Sequence, residues 1–377
     1  MRSLSIVHLF SHSAVTRGGA VQGLLLAQAL RQSGHRVVCF FHAPFGGNGT
    51  ESDESLRPFL EQGLEVRRIN MKHPSSYLKF HKWIRKEQVD ILHAHRNLAL
   101  MFGYYSRLGS RLPPLVVNRG TTDSLTNPLV RRVFRSEGLN RIITVAHAVK
   151  ESVVADVGIA AERISVVYGS FDEARFHPER DGTSIRRELG VGPLAPLIVC
   201  IAAVERRKGL DVLMDAALEV VRKFFEARFL IVGNIDDSIY HQEIQRQVDR
   251  LGLSRHVAFA GHWSDIPDIL AAADISVSAS LVEGLSGALR ESLAMRKPVV
   301  CTRVGGHSEV IRDGETGWLV EPNNSVALGR AIIEALEHPE EARRRAQKGH
   351  ELILSLSTNE ARCKEVEHIY YSVCRDC

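Results

Sequence analysis

The chain alternates short apolar runs, rich in Val and Ile, with longer stretches in which apolar residues recur at helical spacing. Short runs that are apolar almost throughout are typical of strands covered on both faces. Strands that alternate with helices form parallel sheets through right-handed crossovers. The pattern predicts two series of strands: Leu4–Phe10, Arg36–Phe41, Leu64–Ile69, Val89–His95, Leu115–Asn118, Arg141–Val145 and Ile164–Tyr168, then Leu197–Ala203, Arg228–Val232, Val257–Ala260, Ile275–Ser278, Pro298–Thr302 and Trp318–Val320.

Two series of strands predict an α/β protein with two doubly wound, Rossmann-like parallel-sheet domains, for which 377 residues suffice. We assign residues 1–175 to the first domain and 176–358 to the second, because Phe171–Pro196 is rich in Pro and Gly. Residues 359–377 predict a C-terminal helix that packs back across the join. Ligands bind beyond the carboxyl ends of parallel strands, so we expect the two sheets to face a cleft that holds the ligand.

Composition and charge narrow the class of protein. With 44% hydrophobic and 24% charged residues, and no uncharged apolar run of about 18 residues, the chain is expected to be globular, without a membrane span. Its first apolar run is short for a signal peptide, so a cytoplasmic location is expected. Residues 1–175 carry 23 Lys and Arg against 14 Asp and Glu, whereas residues 176–377 carry 25 against 30. The first half should therefore prefer an anionic partner.

Two basic stretches in that half, Lys79–Lys86 and Arg131–Arg135, leave two interpretations open. They could rest peripherally on the anionic inner face of the cytoplasmic membrane. Alternatively, each is an ordinary helix with a solvated basic face, which is the more common arrangement and the preferred interpretation. Nucleic acid is not expected as a partner, because no recognised binding motif accompanies the charge.

The strongest chemical motif runs from Ser280 to Met295 and follows a predicted strand. Small residues, including Ser286 and Gly287, lead into a helical run whose first amides would be free to bind a phosphate. Glu291, in the first turns of that helix, could accept two hydrogen bonds from the vicinal diol of a ribose. Glu283, in the preceding loop, could reach a sugar hydroxyl. Considered alone, two glutamates at this spacing could equally be a helix-capping acid and a surface acid. The strand–turn–helix context favours the interpretation as a binding site.

Three other motifs follow predicted strand ends: Arg206, Arg207 and Lys208; Gly18 and Gly19; and Gly305–Glu309. Basic groups at a strand end suit a diphosphate, although a solvated basic loop is an equal alternative. Two glycines permit close backbone approach to a ligand. Glu309 either holds its loop by hydrogen bonds or contacts the ligand.

A metal site is not predicted. His93 and His95 share one face of a strand, but the sequence offers no compact set of partner ligands, so hydrogen-bonded histidines are the preferred interpretation. Cys374 and Cys377 form a CxxC without a second ligand pair, which is more typical of a frayed tail than of a redox or metal site.

Taken together, these residues resemble glycosyltransferase family 4, whose members are retaining enzymes of the GT-B fold. The resemblance covers nearly the whole chain and rests on an ordered set of matches: Lys208-Gly209, Gly233, Glu283-Gly284, Glu291, Pro298, Gly305-Gly306, Glu309 and Gly314–Gly317. It implies that Glu291 holds the donor ribose, Glu283 contacts the donor sugar, and Lys208 holds the diphosphate. It also implies that Gly18 and Gly19 approach the phosphate, that catalysis needs no cofactor or metal, and that the donor is a nucleotide-diphosphate sugar. From the basic first half we expect the acceptor to be a glycan or glycolipid of surface polysaccharide or lipopolysaccharide biosynthesis.

The chain departs from the family pattern at three places. Arg119 stands where the family often has a His after the fifth strand, and a permanently charged Arg cannot act as a general base. It could still act at the site by stabilising a phosphate or by binding an anionic acceptor. Ala202 or Ala203 occupies the position of an upstream Arg of the diphosphate clamp, a role that Arg206 or Arg207 could take. Gly169–Asp172 replaces the family's Asn-Gly-x-Asp turn. Two alternatives therefore stay open: a GT-B sugar-nucleotide epimerase or phosphorylase, and a non-catalytic nucleotide-sugar-binding subunit.

Overall fold

The computed structural model describes residues 2–13, 18–43, 56–107 and 112–375. The chain divides into two compact units. The first joins Met1–Ser170 to Asn359–Cys377, and the second is Phe171–Thr358. Each unit contains a parallel sheet with helices on both faces, so each forms its own hydrophobic core.

The first unit is built on a seven-stranded parallel sheet in the order β3-β2-β1-β4-β5-β6-β7. The strand order reverses between β1 and β4, whose register pairs Ile6 with Ile91. The strands are β1 (Ser5–Phe10), β2 (Arg36–His42), β3 (Glu65–Ile69), β4 (Ile91–His95), β5 (Leu115–Arg119), β6 (Arg141–Thr144) and β7 (Ile164–Val166).

Apolar side chains alternate between the two faces of this sheet, and helices cover both. One face packs against α3 (Pro74–Lys86), α4 (Asn97–Tyr105), α5 (Pro128–Arg135) and α6 (His147–Val157). The other packs against α1 (Gly18–Gln32), α2 (Arg57–Glu61) and α15 (Asn359–Arg375).

Helix α15 completes the core of the first unit although it follows the whole second unit in sequence. Tyr370 is fully buried, and its hydroxyl lies 2.6 Å from Nδ1 of His93 on β4. Arg362 is also buried and donates a 2.7 Å hydrogen bond to the carbonyl of Gln22 on α1.

The second unit contains a six-stranded parallel sheet in the order β10-β9-β8-β11-β12-β13. Its strand order reverses between β8 and β11. The strands are β8 (Leu197–Ile201), β9 (Arg228–Val232), β10 (Val257–Gly261), β11 (Ile275–Ser278), β12 (Val299–Thr302) and β13 (Trp318–Val320). The helices are α7 (Thr183–Glu188), α8 (Leu210–Lys223), α9 (Ser238–Arg250), α10 (Ile266–Ala272), α11 (Gly287–Ala294), α12 (His307–Val310), α13 (Ser325–Glu337) and α14 (Pro339–Leu356).

All the predicted strands are present, with ends that differ from the predicted ones by at most two residues. The frayed-tail interpretation of the C-terminal CxxC is wrong for Cys374, which is half-buried in α15, whereas Cys377 lies outside the described residues. Among the helices of the described residues, none combines the length and apolar composition that crossing a bilayer requires.

Candidate functional site

The loops that carry the main predicted residues meet at one edge of the second sheet. Strands β8 and β11 are neighbours and run parallel, with Ile198 paired to Ile275. The loops after their carboxyl ends therefore start side by side at the point where the strand order reverses. The loop after β8 contains a 3-10 turn, Arg206–Lys208, and the loop after β11 contains Glu283.

Two glycines let the backbones at this edge approach closely. Gly209 has φ +60°, and a Cβ there would lie 2.2 Å from the carbonyl oxygen of Ala279. Gly305 has φ +49°, and a Cβ there would lie 2.1 Å from the carbonyl oxygen of Glu283. Because each contact is with backbone, no side-chain adjustment could make room for a larger residue. The loops are thus held together by positions that only glycine fits.

Glu283 is a buried carboxylate held between two cations. Its Oε1 accepts a hydrogen bond from Lys208 Nζ, and its Oε2 lies 3.9 Å from Arg207 Nη1. Burial by itself would raise the pKa of the Glu283 carboxyl, but the charges of Lys208 and Arg207 more than offset burial and hold that pKa below its ordinary value. Glu283 is therefore ionised at neutral pH, and its orientation is fixed.

The three basic residues of the 3-10 turn point to different partners. Arg207 also pairs with Glu205 at 2.7 Å. Arg206 is exposed, donates a 2.8 Å hydrogen bond to Glu243 on α9, and lies 5.1 Å from the ring centre of Tyr240. The structure thus brings Arg207 and Lys208 to Glu283 and directs Arg206 to α9.

Helix α11 begins beside this cluster with Ser286 as its N-cap and Gly287 as its first residue. The Ser286 side chain makes no capping hydrogen bond, so the first amides of the helix are open to an anion. Glu291 follows one turn later and is half-buried. Burial raises the pKa of Glu291, and the charges of Arg290 and Arg175 partly oppose that increase.

The loop after β12 contributes α12, which contains Glu309 and His307. Glu309 is half-buried. His307 is fully buried; its Nδ1 lies 2.9 Å from the carbonyl oxygen of Thr302, and its Nε2 has no hydrogen-bond partner in the described structure. Burial lowers the pKa of His307, so its imidazole is neutral at pH 7.

The remaining predicted residues belong to the first unit. Gly18 and Gly19 open α1 and are exposed, with no side chain closer than 4.0 Å to where a Cβ would stand. Arg119 ends β5, is half-buried, and donates a hydrogen bond to the carbonyl of Asp123. Burial lowers the pKa of Arg119, while the neighbouring Asp123 and Asp156 oppose that change.

The first unit also contains a buried histidine cluster that the sequence revealed only in part. His8 on β1 joins His93 and His95 on β4, and one ring nitrogen from each lies within 4.8 Å of the others. His8 Nδ1 lies 2.9 Å from His95 Nε2, and both nitrogens of His93 are engaged, by Tyr370 and by Asn118 at 3.2 Å.

Burial lowers the pKa values of all three histidines, and the charge of Arg362 lowers them further. The rings are therefore neutral. His93 is held by Tyr370 and Asn118, His8 and His95 contact each other, and Nε2 of His8 has no hydrogen-bond partner within the described residues. These contacts fit the interpretation as hydrogen-bonded histidines, and the three ring nitrogens also lie close enough together to hold a metal ion.

Two further residues, one in each unit, were not singled out from the sequence. Arg290, in α11, looked like an ordinary charged helix residue but is buried. His8 lies on a strand 85 residues before His93, and only the pairing of β1 with β4 brings them together. The β1–β4 neighbourhood could be inferred from a doubly wound topology, but the inward direction of Arg290 has no sequence signal.

Two protein-family models match the chain. The family model described as "Glycosyltransferase Family 4" matches residues 16–175, and the model described as "Glycosyl transferases group 1" matches residues 195–338. The two models together span most of both units. The chain belongs to glycosyltransferase family 4. It is accordingly a glycosyltransferase, and the non-catalytic alternative is set aside.

Curated family relatives include enzymes of several pathways. N-acetyl-alpha-D-glucosaminyl L-malate synthase of Bacillus anthracis is 25% identical over 90% of this chain and 97% of its own. The putative glycosyltransferase EpsD of Bacillus subtilis is 33% identical over 48% of this chain and 46% of its own. The lipopolysaccharide core biosynthesis mannosyltransferase LpsB of Rhizobium meliloti is 27% identical over 47% of this chain and 53% of its own.

Solved structures show the same fold. A glycosyltransferase from Rickettsia africae ESF-5 superposes with a TM-score of 0.86 over all of both chains, at 20% identity. Anabaena Alr3699/HepE, crystallised with UDP and glucose, superposes with a TM-score of 0.84 over 98% of this chain and 100% of its own, at 20% identity. The two parallel-sheet units of this family 4 enzyme therefore have the GT-B fold.

Proposed function

We propose that the protein transfers a sugar from a nucleotide-diphosphate donor to a hydroxyl of a glycan or glycolipid acceptor, with retention of anomeric configuration. The observation that carries this proposal is the cluster of Glu283, Lys208 and Arg207 beside the open N-terminus of α11. It combines fixed cations for a diphosphate with a buried, ionised carboxylate for sugar hydroxyls. Glu291 on the same helix supplies an acceptor for the ribose diol.

In this proposal the anomeric carbon of the donor loses its bond to the β-phosphate oxygen as the acceptor oxygen attacks from the same face. The acceptor proton passes to the departing phosphate oxygen, so the products are the glycoside and the nucleoside diphosphate. Lys208 and Arg207 stabilise the negative charge that grows on the diphosphate. Glu283 orients the sugar by accepting hydrogen bonds from its hydroxyls, and it also fixes the position of Lys208.

A thermal-shift screen with UDP-, GDP-, ADP- and CDP-sugars and the free diphosphates tests donor binding, because a ligand that binds the native state raises its melting temperature. We expect one nucleotide to stabilise the protein and Glu291→Ala to weaken that nucleotide's binding at least 10-fold, or about 1.4 kcal/mol. Glu315→Ala, which removes an exposed carboxylate of the same unit, should leave binding unchanged. Undiminished affinity in Glu291→Ala would refute the ribose assignment.

Retention is tested by the anomeric configuration of the product, and metal independence by the effect of EDTA on activity. The anomeric proton coupling of the product, followed by NMR from the first turnovers, should match the configuration of the donor. Because Lys208 and Arg207 already supply positive charge for the diphosphate, we propose that no divalent cation or other cofactor is needed. Activity should then survive EDTA, and a loss that Mg²⁺ or Mn²⁺ restores would overturn this part of the proposal.

The acceptor class is proposed from the relatives that act in lipopolysaccharide core biosynthesis and from the cationic first unit. We propose a surface polysaccharide or lipopolysaccharide precursor as acceptor, with Arg119 binding one of its anionic groups. Arg119→Ala should raise the KM for the acceptor and leave nucleotide affinity within twofold. A change in nucleotide affinity alone would assign Arg119 to the donor instead.

We further propose that the layer formed by α3, α4 and α5 rests on an anionic membrane surface. These helices cover the same face of the first sheet and contain no Asp or Glu. Their exposed cations are Lys79, Lys82, Arg85, Lys86, Arg132 and Arg135, whereas Arg131 is half-buried and pairs with Asp156 on α6. The layer also exposes three large apolar side chains, Leu78, Tyr105 and Leu129. Cations interspersed with exposed apolar groups suit an interface of anionic headgroups and acyl chains.

Co-sedimentation with vesicles tests this contact. The protein should bind vesicles that contain phosphatidylglycerol, and not pure phosphatidylcholine, with binding that weakens as salt increases. Lys79→Glu with Lys82→Glu should abolish binding. The same charge reversals at exposed positions of the second unit, Arg343→Glu with Lys348→Glu, serve as the matched control. Equal loss in both double variants would show a net-charge effect and refute a specific face.

A further inference from the structure

Arg290 is a buried guanidinium at the start of α11, and none of the described residues neutralises it by direct contact. It is 2% exposed. Within the described residues its side chain donates one long hydrogen bond, 3.3 Å from Nη1 to the carbonyl oxygen of Leu285, and its Nε has no partner. A buried cation in this state is unfavourable, because water has been removed and no anion has replaced it.

The nearby carboxylates do not fill that role. Glu283 is already engaged by Lys208 and Arg207. Glu291 attracts Arg290 electrostatically, but within the described residues the two form no ion pair at contact distance. Burial lowers the pKa of Arg290 to about 10, against the opposing pull of Glu291 and Glu283, and the side chain remains a cation at neutral pH.

The free end of the guanidinium is directed toward the first residue of the helix. A Cβ placed on Gly287 would lie 3.8 Å from Arg290 Nη2 and 3.8 Å from Glu291 Oε1. The cation and the carboxylate therefore converge on the same space beside Gly287, which its missing side chain leaves open. The first amides of α11, uncapped by Ser286, open at the same place.

We propose that Arg290 binds a phosphate oxygen of the nucleoside diphosphate, so that Arg290 and Glu291 hold the phosphate and the ribose on either side of Gly287. This inference rests on the proposed nucleotide-sugar function and adds a residue to its donor site. The phosphate supplies the anion that the buried guanidinium lacks, through a charge-assisted contact at the helix N-terminus. Arg290 is thus maintained for binding at the expense of the stability of the free protein.

The proposal predicts opposite effects of one substitution on stability and on binding. In the full-length protein, Arg290→Leu should raise the melting temperature without ligand, because an apolar side chain replaces an unpaired buried charge. Calorimetric titration with UDP, GDP, ADP and CDP, each beside its own nucleoside, should show a 10- to 100-fold loss of affinity for the preferred diphosphate. Affinity for the matching nucleoside, which lacks phosphate, should stay within twofold.

Two variants complete the test. Arg290→Lys retains the charge but loses the planar fork, so its diphosphate affinity should fall between those of wild type and Arg290→Leu. Arg330→Leu, at an exposed position of α13, should change neither affinity. If Arg290→Leu does not fold, Arg290→Lys alone must lose diphosphate affinity and keep nucleoside affinity for the proposal to stand.

Other outcomes overturn it. Unchanged diphosphate affinity in Arg290→Leu, with any melting temperature, would show that Arg290 serves the packing of α11 alone, while the proposed function survives. Equal losses for diphosphate and nucleoside would remove the phosphate assignment. If wild-type protein binds none of the diphosphates, the proposed function fails, and this inference fails with it.

Discussion

Replacing Lys208 by Met removes the closest partner of a buried carboxylate and keeps the apolar part of the side chain. Glu283 would keep its weaker contact with Arg207, whose Nη1 lies 3.9 Å from Oε2. The side chains of Lys208 and Glu283 are 13% and 9% exposed, so neither group is well hydrated in the folded protein. We expect Lys208→Met to destabilise the second unit because it leaves a buried charge only weakly compensated.

The size of the effect follows from burial. Breaking a buried ion pair by removing one partner costs about 3–5 kcal/mol. Arg207 remains, which argues for the lower end, about 3 kcal/mol. For a unit of this size, Phe171–Thr358, about 1 kcal/mol lowers the melting temperature by about 2–4 °C. The expected decrease is therefore roughly 6–12 °C.

The pH dependence gives an independent check. In the wild-type protein the folded pKa of Glu283 is lowered, so its contribution to stability is full above the unfolded pKa, about 4.3, and is lost as the pH falls through the folded value. In Lys208→Met burial dominates and raises the pKa of Glu283. The gap in stability between variant and wild type should then be widest near pH 7 and should narrow as the pH is lowered toward about 4.

Melting curves of the ligand-free protein between pH 4 and 8, read by intrinsic fluorescence, measure both effects. The double variant Lys208→Met with Glu283→Gln should recover most of the lost stability, since no charge is then left buried. Lys223→Met is the matched control, because Lys223 pairs with Glu337 on the exposed surface of the same unit and such pairs contribute about 1 kcal/mol or less. A Lys208→Met melting temperature within about 2 °C of wild type at pH 7 would refute the reasoning.

Two further substitutions test other parts of the structure. Tyr370→Phe removes the buried hydroxyl that contacts His93. The free energy of unfolding of the first unit, measured by urea titration, should therefore fall by about 1–3 kcal/mol. An unchanged value would mean that His93 needs no such partner. Gly305→Ala forces a Cβ against the backbone of Glu283 and should cost at least about 3 kcal/mol and abolish nucleotide binding. Gly252→Ala is the control, because Gly252 has φ +71° but open space around it, and this substitution should cost only about 1 kcal/mol. Equal costs at the two positions would show that the strain of a positive φ, and not contact with the Glu283 backbone, prevents a larger residue at Gly305.

The sequence predicted the strands well because buried parallel strands are apolar almost throughout, and errors arose only at their ends. The run through Tyr168 is apolar, yet β7 ends at Val166. Strand β7 lies at the edge of the sheet and has one neighbour, β6, which ends at Thr144. A strand stops where its partner stops, and this information is not contained in its own residues.

The candidate site was predictable where topology alone brings residues together. Lys208 and Glu283 follow neighbouring strands, so their proximity follows from the doubly wound order. The direction of Arg206 was not predictable, because it depends on Glu243 on another helix. Arg290 was missed for a physical reason: a charged residue in a helix normally faces solvent, and only the structure reveals one that points inward.

Because α15 belongs to the first unit, the order of synthesis and the order of folding differ. A ribosome that adds about 5–20 residues per second spends roughly 10–40 s on residues 171–358 before it reaches α15. During that interval α1 and α2 can cover that face of the first sheet, but the part around His93 that α15 covers lacks its helix. The core of the first unit is therefore completed only after α15 has been synthesised. A stop codon placed before Asn359 would leave the sequence of the second unit intact but would remove α15 from the core of the first unit.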